Sequence, residues 1–132
     1  RNVLIYFETG QETPITLIRA IRDIGTGNLF INCDLANLLM YGKSNSLDAA
    51  KLFGNLIKEF HAKDGKYPDP NNPYELGHEV PIPTGDVDFP AVIAELKKQG
   101  FKGAITIECE LNGTRHDYVI QTRKYLQELL DR

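Results

Sequence analysis

The run VLIYFE, Val3 to Glu8, decides the fold. Its apolar character is continuous rather than alternating, it is rich in β-branched and aromatic residues, and it ends on a carboxylate. A strand apolar on both faces belongs in a parallel sheet covered by helices. The next segment agrees. Thr13 and Pro14 supply a helix cap and a first helical position. Ile15, Leu17, Ile18, Ile21 and Ile24 then recur at helical spacing until Gly25 and Gly27, which are stop signals.

The unit repeats along the chain. NLFINCD (Asn28–Asp34) predicts a second strand, and LANLLMYGKSNS is a connection with room for a helical turn. Ser46 is placed to cap the short helix LDAAKLFG, and NLIKEFHAKD (Asn55–Asp64) contains a third strand. The segment from Gly65 to Asp86 is dense in Pro, Gly and Asn and has no strong periodicity, so it predicts a long loop of the kind usually tied to function. VDFPAVIAELKKQG is an amphipathic helix ended by Gly100, and GAITIECE (Gly103–Glu110) is a fourth strand. Thr114 is placed to cap a last helix with an apolar stripe of Tyr118, Val119, Thr122, Tyr125, Leu126 and Leu129. The order βαβαβαβα predicts an α/β domain over residues 1–132, with parallel strands joined by right-handed crossovers.

Composition narrows the function classes. The 132 residues are 42% hydrophobic and 25% charged, with a net charge of −3. That balance gives no electrostatic reason to expect nucleic acid or an anionic membrane as partner. No apolar run approaches the ~20 residues of a membrane helix, and no secretory signal is visible. Cys33 and Cys109 have no metal-knuckle or redox spacing. Both lie in apolar runs and are expected to be buried reduced thiols, which suits the cytoplasm. A strand at the very start, without Met or lead-in, reads as a piece of a longer polypeptide.

The strand ends carry the chemistry. The four strands close on Glu8, Asp34, His61 and Glu108. In a parallel sheet all C-terminal ends lie at one edge, where α/β enzymes build their sites. Three carboxylates and an imidazole meeting there would repel and desolvate at high cost unless a cation joined them. Hard oxygen ligands with one imidazole suit a divalent metal, Mn²⁺ first, with Mg²⁺, Co²⁺ or Zn²⁺ as alternatives.

The stretches LIYFETGQET, FINCDLANLLMYG, KEFHAKDGK and GHEVPIPTGDVDFPAVIAELKKQGFKGAITIECE resemble the C-terminal half of the xylose-isomerase-like TIM barrels, the sugar phosphate isomerase/epimerase superfamily. The resemblance covers nearly the whole chain. It implies that the four strands are strands five to eight of a (β/α)8 barrel, and that Glu8, Asp34, His61 and Glu108 match the family's metal set. It also implies a sugar or sugar-phosphate isomerase or epimerase in which Glu8 and Glu108 pass protons through an enediolate. Two departures stand out: Asn37 occupies the position where many ketose epimerases carry a histidine, and Thr84-Gly85-Asp86 replaces a Gly-Glu-Gly-like turn.

Several neighbours have weaker claims. Lys63 and Lys66 are placed to bind a phosphate or sugar hydroxyls, or else are solvated loop residues. Asn37 is a candidate substrate contact, and Asp64 either orients His61 from outside the ligand ring or caps a loop. His78, Glu79, Glu110, Glu12 and His116 read as surface or decoy groups, and Cys33 and Cys109 as turned away from the ligands. Two other classes stay open. One is an endonuclease IV-like nuclease, disfavoured by having only three histidines. The other is a non-catalytic half-barrel acting as an interaction module. A chain with four barrel strands is expected to associate, either with a missing N-terminal half or with a second copy.

Overall fold

Four of the apolar runs become neighbouring strands of one sheet in the computed structural model, which describes residues 3–113 and 115–132. In chain order the strands are β1 (Ile5–Glu8), β2 (Leu29–Asp34), β3 (Ile57–Ala62), β4 (Asp64–Lys66), β5 (His78–Val80) and β6 (Ile105–Ile107). The helices are α1 (Pro14–Ile24), α2 (Leu35–Met40), α3 (Ser46–Phe53), α4 (Phe89–Lys98) and α5 (Arg115–Leu130). The main sheet runs β1-β2-β3-β6, and every pairing in it is parallel. The fold is therefore a half-barrel of parallel βα units.

Register sets the site. β2 pairs with β3 as Ile31 with Ile57, then Asn32 with Glu59, and finally Asp34 with His61. Lys58 is skipped by a bulge beside Ile31 and Asn32. Such an insertion re-phases the strand, so Glu59 and His61 share a face with Asn32 and Asp34. β3 then pairs His61 with Thr106 in β6.

The other face of the sheet makes the core. Ile31, Cys33, Phe60 and Ala62 pack with Leu35, Leu38, Phe53, Phe89, Val92 and Leu96 from the helices. Each fully buried aromatic or aliphatic side chain of this kind contributes about 1.5–3 kcal/mol. On the site face, Tyr6, Asn32, His61 and Thr106 are half-buried or exposed.

The helix starts follow side-chain chemistry. Thr13 caps α1 by accepting from Thr16 N at 3.3 Å, with Pro14 opening the helix and Gly25 closing it at φ +67°. The expected cap at Ser46 falls one residue earlier: Asn45 Oδ1 accepts from Asp48 N at 2.9 Å, while the buried Ser46 hydroxyl accepts from Asp88 N at 3.2 Å. In α5 the stripe holds for Thr122, Leu126 and Leu129, but Val119 is exposed. The proposed cap at Thr114 lies outside the described residues. Cys33 is buried as expected, whereas Cys109, just past the end of a short edge strand, is half-buried.

The long loop contains structure that periodicity did not reveal. β4 and β5 form an antiparallel pair, Asp64 with Val80 through Lys66 with His78. Three-residue strands are too short to show alternation, so only the tertiary pairing exposes them. Among the described residues, no helix is long and apolar enough to cross a membrane.

Candidate active site

The four strand ends meet. One ligand atom from each of Glu8, Asp34, His61 and Glu108 lies within 4.8 Å of the others. β1 and β2 end on Glu8 and Asp34, His61 is the penultimate residue of β3, and Glu108 follows β6 directly. Parallel pairing alone brings these positions to a common edge.

Asp34 has two jobs. Its Oδ1 accepts from Asn37 N at 2.8 Å and so caps α2. Its Oδ2 is buried and turned to the cluster. Burial pushes the Asp34 carboxyl up to about 6, against the downward pull of the Asn37 N–H and the Lys63 ammonium. Thr9, buried beside it, donates its hydroxyl to Asp34 O at 2.6 Å and accepts from Asp34 N at 2.7 Å. That hydroxyl fastens the end of β1 to the end of β2, a role with no signature in the sequence.

His61 is held from both sides. Nδ1 stands 2.7 Å from Glu108 Oε2 and 3.5 Å from Glu8 Oε1. Nε2 lies 2.9 Å from the carboxamide nitrogen of Asn32. Asp34 Oδ2, His61 Nδ1 and Glu108 Oε2 are all buried without a hydrogen-bond partner among the described residues. Ligand atoms converging in this way, buried and with His61 Nδ1 and Glu108 Oε2 only 2.7 Å apart, are what a divalent cation satisfies. The donor set fits such an ion.

Lys63 is not a solvated loop residue. It is only 4% exposed, and its ammonium donates to Glu108 Oε1 at 3.0 Å and to Asn37 Oδ1 at 3.3 Å. Asp34 Oδ2 and Glu110 Oε1 each stand 3.7 Å away. Burial works against the charged amine, but the Glu108 hydrogen bond and the surrounding carboxylates outweigh it and hold its pKa above the usual lysine range. Asn37 is engaged as well, donating its Nδ2 to Thr9 O at 3.1 Å. Lys66 points elsewhere and pairs with Asp86 at 2.8 Å.

Of the two expectations for Asp64, orienting His61 or capping a loop, its contacts match the second. Its buried carboxylate accepts from Gly65 N at 2.9 Å, Gly85 N at 2.8 Å and Val87 N at 3.1 Å. It braces the long loop, and Asn32 is the side chain that meets His61. Glu79, taken for a surface residue, also has a structural partner: both its oxygens accept from Glu110 N at 3.1 Å. His78 and His116 are exposed.

A cleft of about 270 Å³ opens beside the cluster. Glu8, Glu108, Asn37 and Lys63 line its polar side, and Met40, Tyr41 and Leu76 its apolar side. It is a little smaller and more polar than a typical small-ligand pocket of about 300–1,000 Å³.

Comparison with known proteins agrees with the half-barrel fold. The family described as xylose isomerase-like TIM barrel matches residues 2–129. An uncharacterized protein of Methanocaldococcus jannaschii is 29% identical over 120 residues, which is 90% of this chain and 37% of that protein. The crystal structure of a xylose isomerase domain protein from Planctomyces limnophilus superposes with a TM-score of 0.86 at 31% identity, over 96% of this chain and 44% of that one. A D-tagatose 3-epimerase-like protein superposes with a TM-score of 0.76 at 24% identity, over 98% and 47%. The chain thus spans less than half the length of each of these relatives.

Proposed function

Since the chain belongs to the xylose isomerase-like TIM barrel family, we propose that it carries the metal-binding and proton-transfer half of a sugar or sugar-phosphate isomerase or epimerase. The observation that supports this reading most is the convergence of Glu8, Asp34, His61 and Glu108 within 4.8 Å, beside a polar cleft. These four residues would hold a divalent cation, Mn²⁺ by preference. When bound, such an ion would polarise a sugar carbonyl and its neighbouring hydroxyl and so acidify the C–H between them.

The chain's own residues do the rest. One of Glu8 and Glu108 takes the carbon-bound proton, and the C–H electron pair passes into the enediolate. The other carboxyl returns a proton from the opposite face, which inverts the centre. Lys63 fixes Glu108 through Oε1 and leaves Oε2 facing the cluster. An ammonium has three donors; Glu108 and Asn37 use two, and the third is available for a substrate oxygen. Asn37 shares that wall of the cleft and is the second substrate contact in this reading.

The test is solvent exchange. A panel of ketoses and ketose phosphates is incubated with the protein and Mn²⁺ in D₂O, and deuterium at the carbon next to the carbonyl is followed by NMR. Incorporation that requires Mn²⁺ and is lost in Glu108→Gln supports the reading. The activity is that of a full-length protein, and the 132-residue chain alone is expected to be inactive; a full-length protein that binds no divalent ion, or that exchanges no ketose proton, refutes the reading.

A further inference from the structure

The contact between His61 and Asn32 has a role that the ligand set alone does not supply. His61 Nδ1 faces the carboxylates of Glu8 and Glu108, and Nε2 faces Asn32 at 2.9 Å. A neutral imidazole has one N–H and one lone pair, and the hydrogen bond made by one nitrogen sets the state of the other. For Nδ1 to offer a lone pair to a cation, Nε2 must carry the proton and find an acceptor. In the structure the Asn32 nitrogen, Nδ2, stands at Nε2, while Oδ1 is buried with no partner among the described residues. The two ends of a carboxamide are nearly equal in size, so a half-turn of the group brings Oδ1 to the place of Nδ2.

We propose that Asn32 is the positioning residue for His61: with a cation bound, Asn32 Oδ1 accepts the Nε2 proton and leaves the Nδ1 lone pair in the ligand cluster. This rests on the metal reading above. Asn32 is well placed for it. It lies two residues before Asp34 on the same face of β2, and it is anchored by the β2–β3 register that also sets His61 opposite Asp34. Asp64, the other polar candidate near His61 in sequence, has its carboxylate committed to three backbone N–H groups. A partner on the far nitrogen of a metal-binding histidine raises affinity by orienting the ring and fixing its tautomer, and its loss typically costs 10–100-fold in affinity.

The protein has three histidines, so ¹⁵N-histidine labelling gives a readable spectrum. Long-range ¹H–¹⁵N correlations, recorded with Mg²⁺ at a pH well above the ordinary imidazole range, report which ring nitrogen of His61 is protonated. The expected result is a proton on Nε2 in the wild type and in Asn32→Asp, which keeps an acceptor, and loss of that single tautomer in Asn32→Leu. Calorimetric titration with Mn²⁺ is expected to show affinity falling 10–100-fold in Asn32→Leu and largely kept in Asn32→Asp. A proton on Nδ1 of the Mg²⁺-loaded wild type overturns the assignment whether or not any variant folds. Equal Mn²⁺ affinity in the wild type and Asn32→Leu overturns the role of Asn32 and leaves the metal reading standing. A wild type that binds neither ion overturns both.

Discussion

At the scale of single residues, the site is held by charges that sequence order does not pair. Lys63 sits among the carboxylates of Asp34, Glu108 and Glu110. Removing one partner of a buried ionic group costs about 3–5 kcal/mol, so Lys63→Met is expected to lower the melting temperature of the metal-free protein. Saturating Mn²⁺ is expected to raise the melting temperature of that variant more than that of the wild type, because the ion takes over the missing positive charge. Equal shifts in a thermal scan would show that the amine and the ion do not share this task. In the full-length protein, Glu108→Gln is expected to keep the fold and lose about 10²–10⁴ in rate, the usual size of a general acid–base contribution. The four cluster residues were legible because each lies at or within one residue of a strand's C-terminal end, and parallel strands end together. Asn32 and Thr9 were not, since a polar residue inside or just after an apolar run carries no mark of what it will touch across the sheet.

At the scale of elements, the segment between β3 and α4 shows where sequence reading loses its grip. Asp64 reads equally as a partner of His61 or as a loop cap, and only the fold decides, because its partners Gly85 and Val87 arrive from the far end of the loop. A Cβ on Gly85 would overlap the Asp64 carboxylate, so the turn that replaces the family's Gly-Glu-Gly pattern still depends on this glycine. Asp64→Asn is expected to cost about 1–3 kcal/mol, because an amide cannot accept from all three N–H groups. Denaturant midpoints measure it. A second tie, Lys66 and Tyr67 N to Asp86, depends on pH. The Lys66 hydrogen bond, followed by the Tyr67 N–H, holds the Asp86 carboxyl below its usual value. The tie therefore stabilises the loop fully above the ordinary aspartate pKa of about 4 and weakens as pH falls toward the lower folded value. The protection factor of the Tyr67 amide, its exchange rate taken relative to the intrinsic rate at each pH, is expected to fall on acidification through that window in the wild type. In Asp86→Asn it should lack this dependence.

At the scale of the whole molecule, the sheet has two free edges. Among the described residues, β1 pairs only with β2, and β6 only with β3. Val3, Leu4 and Ile5 at the first edge are 55%, 58% and 47% exposed. Unpaired apolar edges act as templates for another chain, so the 132-residue chain on its own is expected to associate at micromolar concentration, with a second copy or with a complementary half-barrel. Sedimentation velocity tests this, and a stable monomer would count against it. The bulge at Lys58 has a different kind of consequence, one that concerns indels. Strand alternation has a period of two, so β3 behaves like a reading frame. Deleting Lys58 itself would only remove the extra residue and keep Glu59, Phe60 and His61 opposite Asn32, Cys33 and Asp34, whereas a deletion at Glu59 or Phe60 would turn His61 to the helical side. The stretch from Pro68 to Leu76, by contrast, lies between two short strands and carries Tyr74 at 97% exposure. Length changes there leave the phase of every ligand untouched. In a library of single-codon insertions and deletions, variants that keep the proposed metal binding should therefore be found in that stretch and at Lys58, and be absent from Glu59 to His61.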